Sequence, residues 1–398
     1  MAYPRTFGSF FPAVLLIATG AAEASFDACR DRLEAEARDA GITSSSAMAA
    51  IAGVEHRERI IELDRSQPEF VQTFQDYLDQ RVTRGRVERG RELLEEHEDL
   101  LARVHGDFGV PPAYVLAFWG METNFGSYFG RVPVLDALAT LACDERRSRF
   151  FTSEFLNALR IVDAGDMTAE DMRGSWAGAM GHMQFMPSTF TAHAVDYDGS
   201  GRTDVWNSLE DAFGSAGNYL RDIGWQPGQR WGREVQLPDG FDYGLASMDT
   251  RKPLAEWAGH GVRTAAGNPL PQADMEGSIV LPAGHDGPAF LVYDNFRVIM
   301  RWNRSVSYAI AVGHLADRIA GLGRLQADWE EEALSIDQVE EIQERLNALG
   351  HDSGEPDGLR GPKTRAAIRS FQQDVGQPAD GHPNHGLLEA LREASGES

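Results

Sequence analysis

One carboxylate sits inside an otherwise apolar helical run, Ala113-Tyr-Val-Leu-Ala-Phe-Trp-Gly-Met-Glu122-Thr, entered through Pro111-Pro112. A proline suits the first turn of a helix, and Gly126 falls where such a helix would be capped. Removing an uncompensated polar group from water costs several kcal/mol, and a bare charge costs more. Glu122 is therefore either paired or held protonated. A core glutamate that caps or pairs would satisfy this constraint. So would a general acid kept neutral in an apolar pocket, as glycoside-cleaving enzymes use.

The formal net charge of −24 argues against a nucleic-acid partner, because no basic stripe is present to neutralise phosphates. It argues equally against docking on anionic lipid. At the N-terminus, Arg5 precedes an apolar stretch from Phe7 to Ala21, and Ala22-Glu23-Ala24 offers a small-x-small cleavage site. Residues 1–24 read as an export leader and the mature chain as soluble and periplasmic. A retained anchor would need roughly 20 apolar residues, and the span here is shorter and contains Pro12. Phe26-Asp27-Ala28 is not the small-residue context of a lipidated Cys29. Cys29 and Cys143, an even pair in an oxidising compartment, are candidates for one disulfide; two buried free thiols are the alternative.

Apolar spacing at Phe70, Phe74, Tyr77 and Leu78 predicts helices from Ser25 to about Arg103. Further helices are expected at about 133–142, 150–162, 187–194, 208–223 and 305–320. Glu234–Leu237 and Ser278–Leu281 read as strands of a small insertion, and Ala289–Tyr293 leads out of it. Residues 323–335 turn acidic and read as a linker, with a solvated helix end equally compatible. Residues 336–394 form a separate unit. Three helical segments there are divided by turns at Glu355-Pro-Asp-Gly358 and Gln377-Pro-Ala-Asp-Gly381, which echo one another.

A second block, Gly174-Ser-Trp-Ala-Gly-Ala-Met-Gly-His-Met-Gln-Phe-Met-Pro-Ser188, sets small residues and polar Ser175, His182 and Gln184 among large apolar side chains. The small residues suit either a sugar-binding groove or a tight helix crossing. His182 reads as a packing or groove-wall residue rather than a base. Asp196, Asp198, Ser200 and Asp204 occupy positions 1, 3, 5 and 9 of an EF-hand-like loop, with Gly201 at position 6 and Asn207 where the bidentate Glu belongs. That pattern reads as a calcium loop or as an Asp/Gly turn that binds nothing.

In order, GMETNFG, LATLA, ERRSRFF, GSWAGAMGHMQFMPST, AVDYDGSGRTDVW and GNYL resemble the lytic murein transglycosylase B family, from about Phe26 to Gly323. The resemblance implies a mainly α, lysozyme-like catalytic domain over 25–322 with a small strand-containing insertion. It implies cleavage of the β-1,4 bond between N-acetylmuramic acid and N-acetylglucosamine in peptidoglycan, ending in a 1,6-anhydro ring. Glu122 matches the family's single catalytic acid and base. Ser175 and Gln184 match sugar-contacting positions, Tyr77 and Tyr219 match cleft aromatics, and Arg146-Arg147 match a basic pair suited to peptide or lactyl carboxylates. Asn303 matches the Asn of a Tyr-Asn pair whose aromatic is Trp302 here, without a phenol hydroxyl. Phe118, Trp119, Met121 and Phe125 are expected to raise the Glu122 pKa where they face it.

The resemblance also completes the acidic loop. Asp196, Asp198, Ser200, Arg202 through its backbone, and Asp211 would hold a structural Ca2+, and catalysis would need no cofactor. The last unit resembles a peptidoglycan-binding type 1 domain of three helices, through Val339, Ile342-Gln343, Leu346, Pro356-Asp-Gly358, Thr364-Arg365 and Phe371-Gln372. Its implied role is tethering on glycan strands. A muramidase that uses water and a non-catalytic wall-binding scaffold are the rival readings.

Overall fold

In the computed structural model the described residues are 15–65 and 72–396, with side chains from residue 25 onward. The leader expectation and Phe70 lie outside the described side chains. The chain is mainly helical and divides into two units, Met1–Ser66 with Phe129–Ala212, and Gln67–Tyr128 with Phe213–Ser398.

In the first unit the helices Val134–Ala142 and Ser148–Ala164 pack on one another, and Leu138, Phe155 and Leu159 are fully buried. Asp136 is buried on the first of these helices. It is compensated by the Arg57 guanidinium at 2.7 Å and by the Glu55 amide. Cys29 and Cys143 are joined by a disulfide that clips Leu15–Asp39 to the end of Val134–Ala142. Short strands Val132–Pro133 and Arg173–Gly174 pair antiparallel and open the Gly174–Ser188 block.

In the second unit Pro112–Thr123 is buried almost throughout, packed by Arg84–Glu96, Glu98–Phe108 and Val306–Ile319. An apolar helix with no polar face has to be enclosed by its neighbours. Its C-cap is Asn124 rather than the expected Gly126. Asn124 and Phe125 both take left-handed backbone (φ 49° and 58°). The double turn folds Phe125 back onto the helix, where a Cβ on Gly120 would lie 2.8 Å from its ring. Only glycine leaves that space.

The insertion is an antiparallel five-stranded sheet in the order Lys252–Pro253, Glu276–Val280, Ala289–Val292, Gly232–Gln236, Arg263–Thr264. Val235 pairs with Ala289 and Val280 with Phe290. Trp257, Ile279 and Leu291 fill its core. The chain leaves the sheet through a helix not anticipated from sequence, Asp294–Trp302, before Val306–Ile319.

The acidic stretch after residue 322 is neither helix nor free spacer. Glu234 accepts the Gln326 and Ala327 amides, Trp329 stacks on Phe74, and Glu331 accepts the Gln75 amide. Three helices follow, Ile336–Ala348, Pro362–Asp374 and His385–Ala394, around Ile342, Leu346, Ile368 and Leu391. The echoed turns have one physical cause. Gln343 accepts the Asp357 and Gly358 amides and donates to Asp357, while Gln372 accepts the Gly381 amide and donates to Asp380. Each buried glutamine thus satisfies its own Asp-Gly turn. The second oxygen of Asp380 accepts the His285 amide at 2.8 Å and lies 2.7 Å from its Nδ1, fixing the module to the insertion.

Candidate active site

Glu122 lies one residue before the end of Pro112–Thr123. Its Oε1 accepts from two donors, the Trp302 indole N–H at 3.0 Å and the Tyr308 hydroxyl. Trp302 ends the Asp294–Trp302 helix, and Tyr308 lies on the first turn of Val306–Ile319. Ser305 caps that turn by accepting the Tyr308 amide. Trp302 is stacked on Phe118 (centroids 4.3 Å) and meets the Tyr219 ring at 5.2 Å.

Burial raises the Glu122 pKa to about 7. The Tyr308 and Trp302 donors and the Arg81 charge pull against that rise without cancelling it. The Tyr308 phenol is itself pushed well above its usual value by burial and then by Glu122, so it remains a donor. Among the described residues Oε2 accepts no hydrogen bond. Both donors converge on Oε1, so Oε2 is the oxygen left to carry a proton when the carboxyl is neutral.

Of the expected residues, Tyr77 and Tyr219 join this cluster. Tyr77 acts electrostatically on Tyr308 and lies under the Arg81 guanidinium. Tyr308 and Arg81 were missed from sequence. Trp119 and Phe125, expected against Glu122, pack on each other and Trp119 on Phe213. Asn303 accepts the Ser305 amide through Oδ1, shaping the corner between the two helices. Position 302 has no phenol hydroxyl; its indole N–H donates to Glu122 Oε1.

Ser175 and Gln184 belong to the first unit, where both organise their own loop. Ser175 Oγ accepts the Ala177 and Ala179 amides, leaving its hydroxyl proton to donate. Gln184, held at φ 48°, donates through Nε2 to the Phe129 and Gly181 carbonyls. The glycines here are sites of close backbone approach. A Cβ on Gly174 would lie 2.0 Å from the Ala179 oxygen. His182 packs edge-on to Phe129, and burial lowers its pKa to about 4. Arg146 and Arg147 both reach the buried Asp64, so one of their two charges is compensated within the fold.

Asp196, Asp198 and Asp211 bring one carboxylate oxygen each within 4.8 Å of one another, and Ser200 Oγ lies 3.1 Å from the Arg202 carbonyl. This hard-oxygen set fits calcium. Asp204 is not part of it; its carboxylate caps the Trp206 and Asn207 amides and pairs with Arg202.

Residues 25–317 match the family described as Transglycosylase SLT domain. The chain belongs to the SLT transglycosylase family. Residues 335–391 of this SLT transglycosylase match the putative peptidoglycan binding domain. It is 33% identical over 251 residues to the membrane-bound lytic murein transglycosylase B of Escherichia coli K12, a match spanning 62% of this chain and 66% of that protein. Among solved structures it resembles SltB3 from Pseudomonas aeruginosa in complex with NAG-anhNAM-pentapeptide. There the TM-score is 0.88 at 47% identity, over 92% of this chain and 99% of the other. The Escherichia coli transglycosylase Slt35 in complex with calcium aligns with TM-score 0.63 and 27% identity, over 74% of this chain and 92% of the other. The SLT transglycosylase is thus of the peptidoglycan lytic transglycosylase class, with a lysozyme-like fold.

Proposed function

We propose that this SLT transglycosylase cleaves the β-1,4 bond between N-acetylmuramic acid and N-acetylglucosamine without water, leaving 1,6-anhydro-muramyl ends, with Glu122 as sole acid and base. The observation that carries the reading is a carboxyl whose pKa burial raises to about 7, and whose hydrogen-bond partners are an indole and a phenol rather than a second carboxylate. Ordinary glycosidases pair two carboxyl groups across the scissile bond. No carboxylate is among the groups that shift Glu122, and the substrate's own C6 hydroxyl is read as the nucleophile.

Glu122 gives its Oε2 proton to the glycosidic oxygen as the C1–O bond breaks, and the muramyl acetamido group stabilises C1. The carboxylate, now steadied by Trp302 and Tyr308, takes the proton of the C6 hydroxyl as that oxygen bonds to C1. The proton is returned and no water is consumed. The similarity to a protein crystallised with NAG-anhNAM-pentapeptide supports the anhydro outcome.

Ser175, Gln184, Tyr77, Tyr219 and Asn303 are the proposed sugar contacts, and Arg146-Arg147 a carboxylate contact. Asp196, Asp198, Ser200, Arg202 and Asp211 would hold a Ca2+ that braces the loop, a reading supported by the calcium complex of Slt35. Residues 1–24 are read as an export leader to the periplasm. Among the described residues no helix is long and apolar enough to cross a membrane.

Mass spectrometry of digested sacculi tests the reaction. Anhydro-muropeptides with the unaltered protein and none with Glu122→Gln are expected. Reducing muramic acid ends would assign a muramidase, and full activity in Glu122→Gln would leave the acid unassigned.

A further inference from the structure

A cavity of about 260 Å³ lies between the strand Gly232–Gln236, the end of the helix Val306–Ile319 and the strap that follows it. Three arginines, Arg230, Arg233 and Arg324, line it, in a chain that is otherwise strongly acidic. Its two carboxylates are already engaged. Asp317 takes Arg230 at 2.9 Å and the Trp231 indole at 3.0 Å. Glu234 accepts the Gln326 and Ala327 amides at 2.7 and 2.6 Å.

Neither Arg233 nor Arg324 has a carboxylate within ion-pair distance among the described residues; the Arg233 guanidinium lies 5.8 Å from the Tyr293 ring centre, and its charge also acts on Asp317. Arg318 stands close enough to add to the local positive potential, since it and Arg324 depress the pKa of His314 in the inner wall. Burial is the larger cause there, and the imidazole is neutral.

We propose that this cavity binds the free carboxylate end of a short peptide of the kind carried by peptidoglycan stems. The inference rests on the peptidoglycan reading above. Arg233 and Arg324 supply the fork of donors that matches a carboxylate. Ala265, Ala266 and Leu325 line the same space and suit an alanyl methyl group better than a fully hydrated inorganic ion. The volume falls just below the roughly 300–1,000 Å³ of drug-sized ligand sites, which limits the occupant to about a dipeptide.

Calorimetry on the full chain tests the site with N-acetyl-D-alanyl-D-alanine, its C-terminal amide, and inorganic phosphate. The acid is expected to bind at least tenfold more tightly than the amide. Arg324→Gln, at an exposed position, should weaken the acid at least tenfold with an unchanged circular dichroism spectrum, as should Arg233→Gln. Glu122→Gln should bind the acid like the unaltered protein. Equal binding of acid and amide, unchanged binding in Arg324→Gln, or binding of phosphate alone would overturn the proposal. Anhydro-muropeptide release by the unaltered protein is scored separately. Release without peptide binding sinks only the cavity, and peptide binding without release sinks only the reaction.

Discussion

Trp302 Nε1 lies 3.0 Å from Glu122 Oε1, and the indole that carries it is stacked on Phe118. One ring therefore does two opposed things. It dries the carboxyl, which favours the neutral acid, and it donates to the oxygen that carries charge once the proton has left. Tyr308 repeats the second role from another helix. The site is thus poised between its acid and base forms close to neutrality.

Glu122→Gln keeps the shape of the side chain and removes its proton transfer. Release of anhydro products should fall by at least the ~10²–10⁴-fold that a general acid–base contributes, with the fold retained. Turnover against pH in the unaltered protein should decline as pH rises through about 7, where the acid is lost.

The raised pKa also links stability to pH. Above an unfolded value near 4.5 and below about 7, the folded state holds a proton that the unfolded state has released, so stability contributed at this site is lost as pH rises across that window. Glu122→Gln should remove this slope. Denaturant titrations at pH 5 and pH 8 should show the variant gaining relative stability at the higher pH.

Trp302→Phe and Tyr308→Phe each delete one donor to Oε1. Both donors lower the Glu122 pKa, so each deletion should move the alkaline limb of the pH profile upward. Hydrogen bonds to charged groups contribute about 1.5–3 kcal/mol, which corresponds to roughly one to two units. An unmoved limb in both variants would remove these residues from the proton-transfer machinery.

Gly120→Ala places a methyl 2.8 Å from the Phe125 ring, behind the helix turn that carries Glu122. Overpacking of this kind costs about 1–3 kcal/mol. A lower midpoint in thermal melts is expected, together with reduced turnover.

Cys29→Ser with Cys143→Ser opens a loop of 114 residues. Loss of a native disulfide costs about 2–5 kcal/mol, although the share due to chain entropy is model-dependent. The double variant, and the unaltered protein under reductant, should melt at lower temperature by similar amounts.

Calcium is expected to raise the melting temperature and EDTA to reverse the shift, with Asp196→Asn abolishing the response. Asp211→Ala should destabilise even in EDTA, because Asp211 also accepts the Tyr197, Asp198 and Asp204 amides. Identical melts with calcium and with EDTA would dismiss the metal.

By itself the sequence determined the elements governed by local rules. Apolar spacing marked the helices Val134–Ala142, Pro187–His193 and Val306–Ile319, and the isolation of Glu122 in an apolar run marked it as chemically special. The Asp-Gly echo in the last unit was visible too, because turn chemistry is short-ranged. Tertiary structure alone decided that Tyr308, 186 residues away, and the Trp302 indole both donate to the Glu122 carboxyl. It also decided that the strap after residue 322 is bound through Glu234 and Gln75, that Arg146 and Arg147 are engaged by Asp64, and that Asp204 caps its own turn. Each of these depends on how separate segments meet in space. Spacing along a chain encodes which face of a helix is greasy, but not which distant donor that face will encounter.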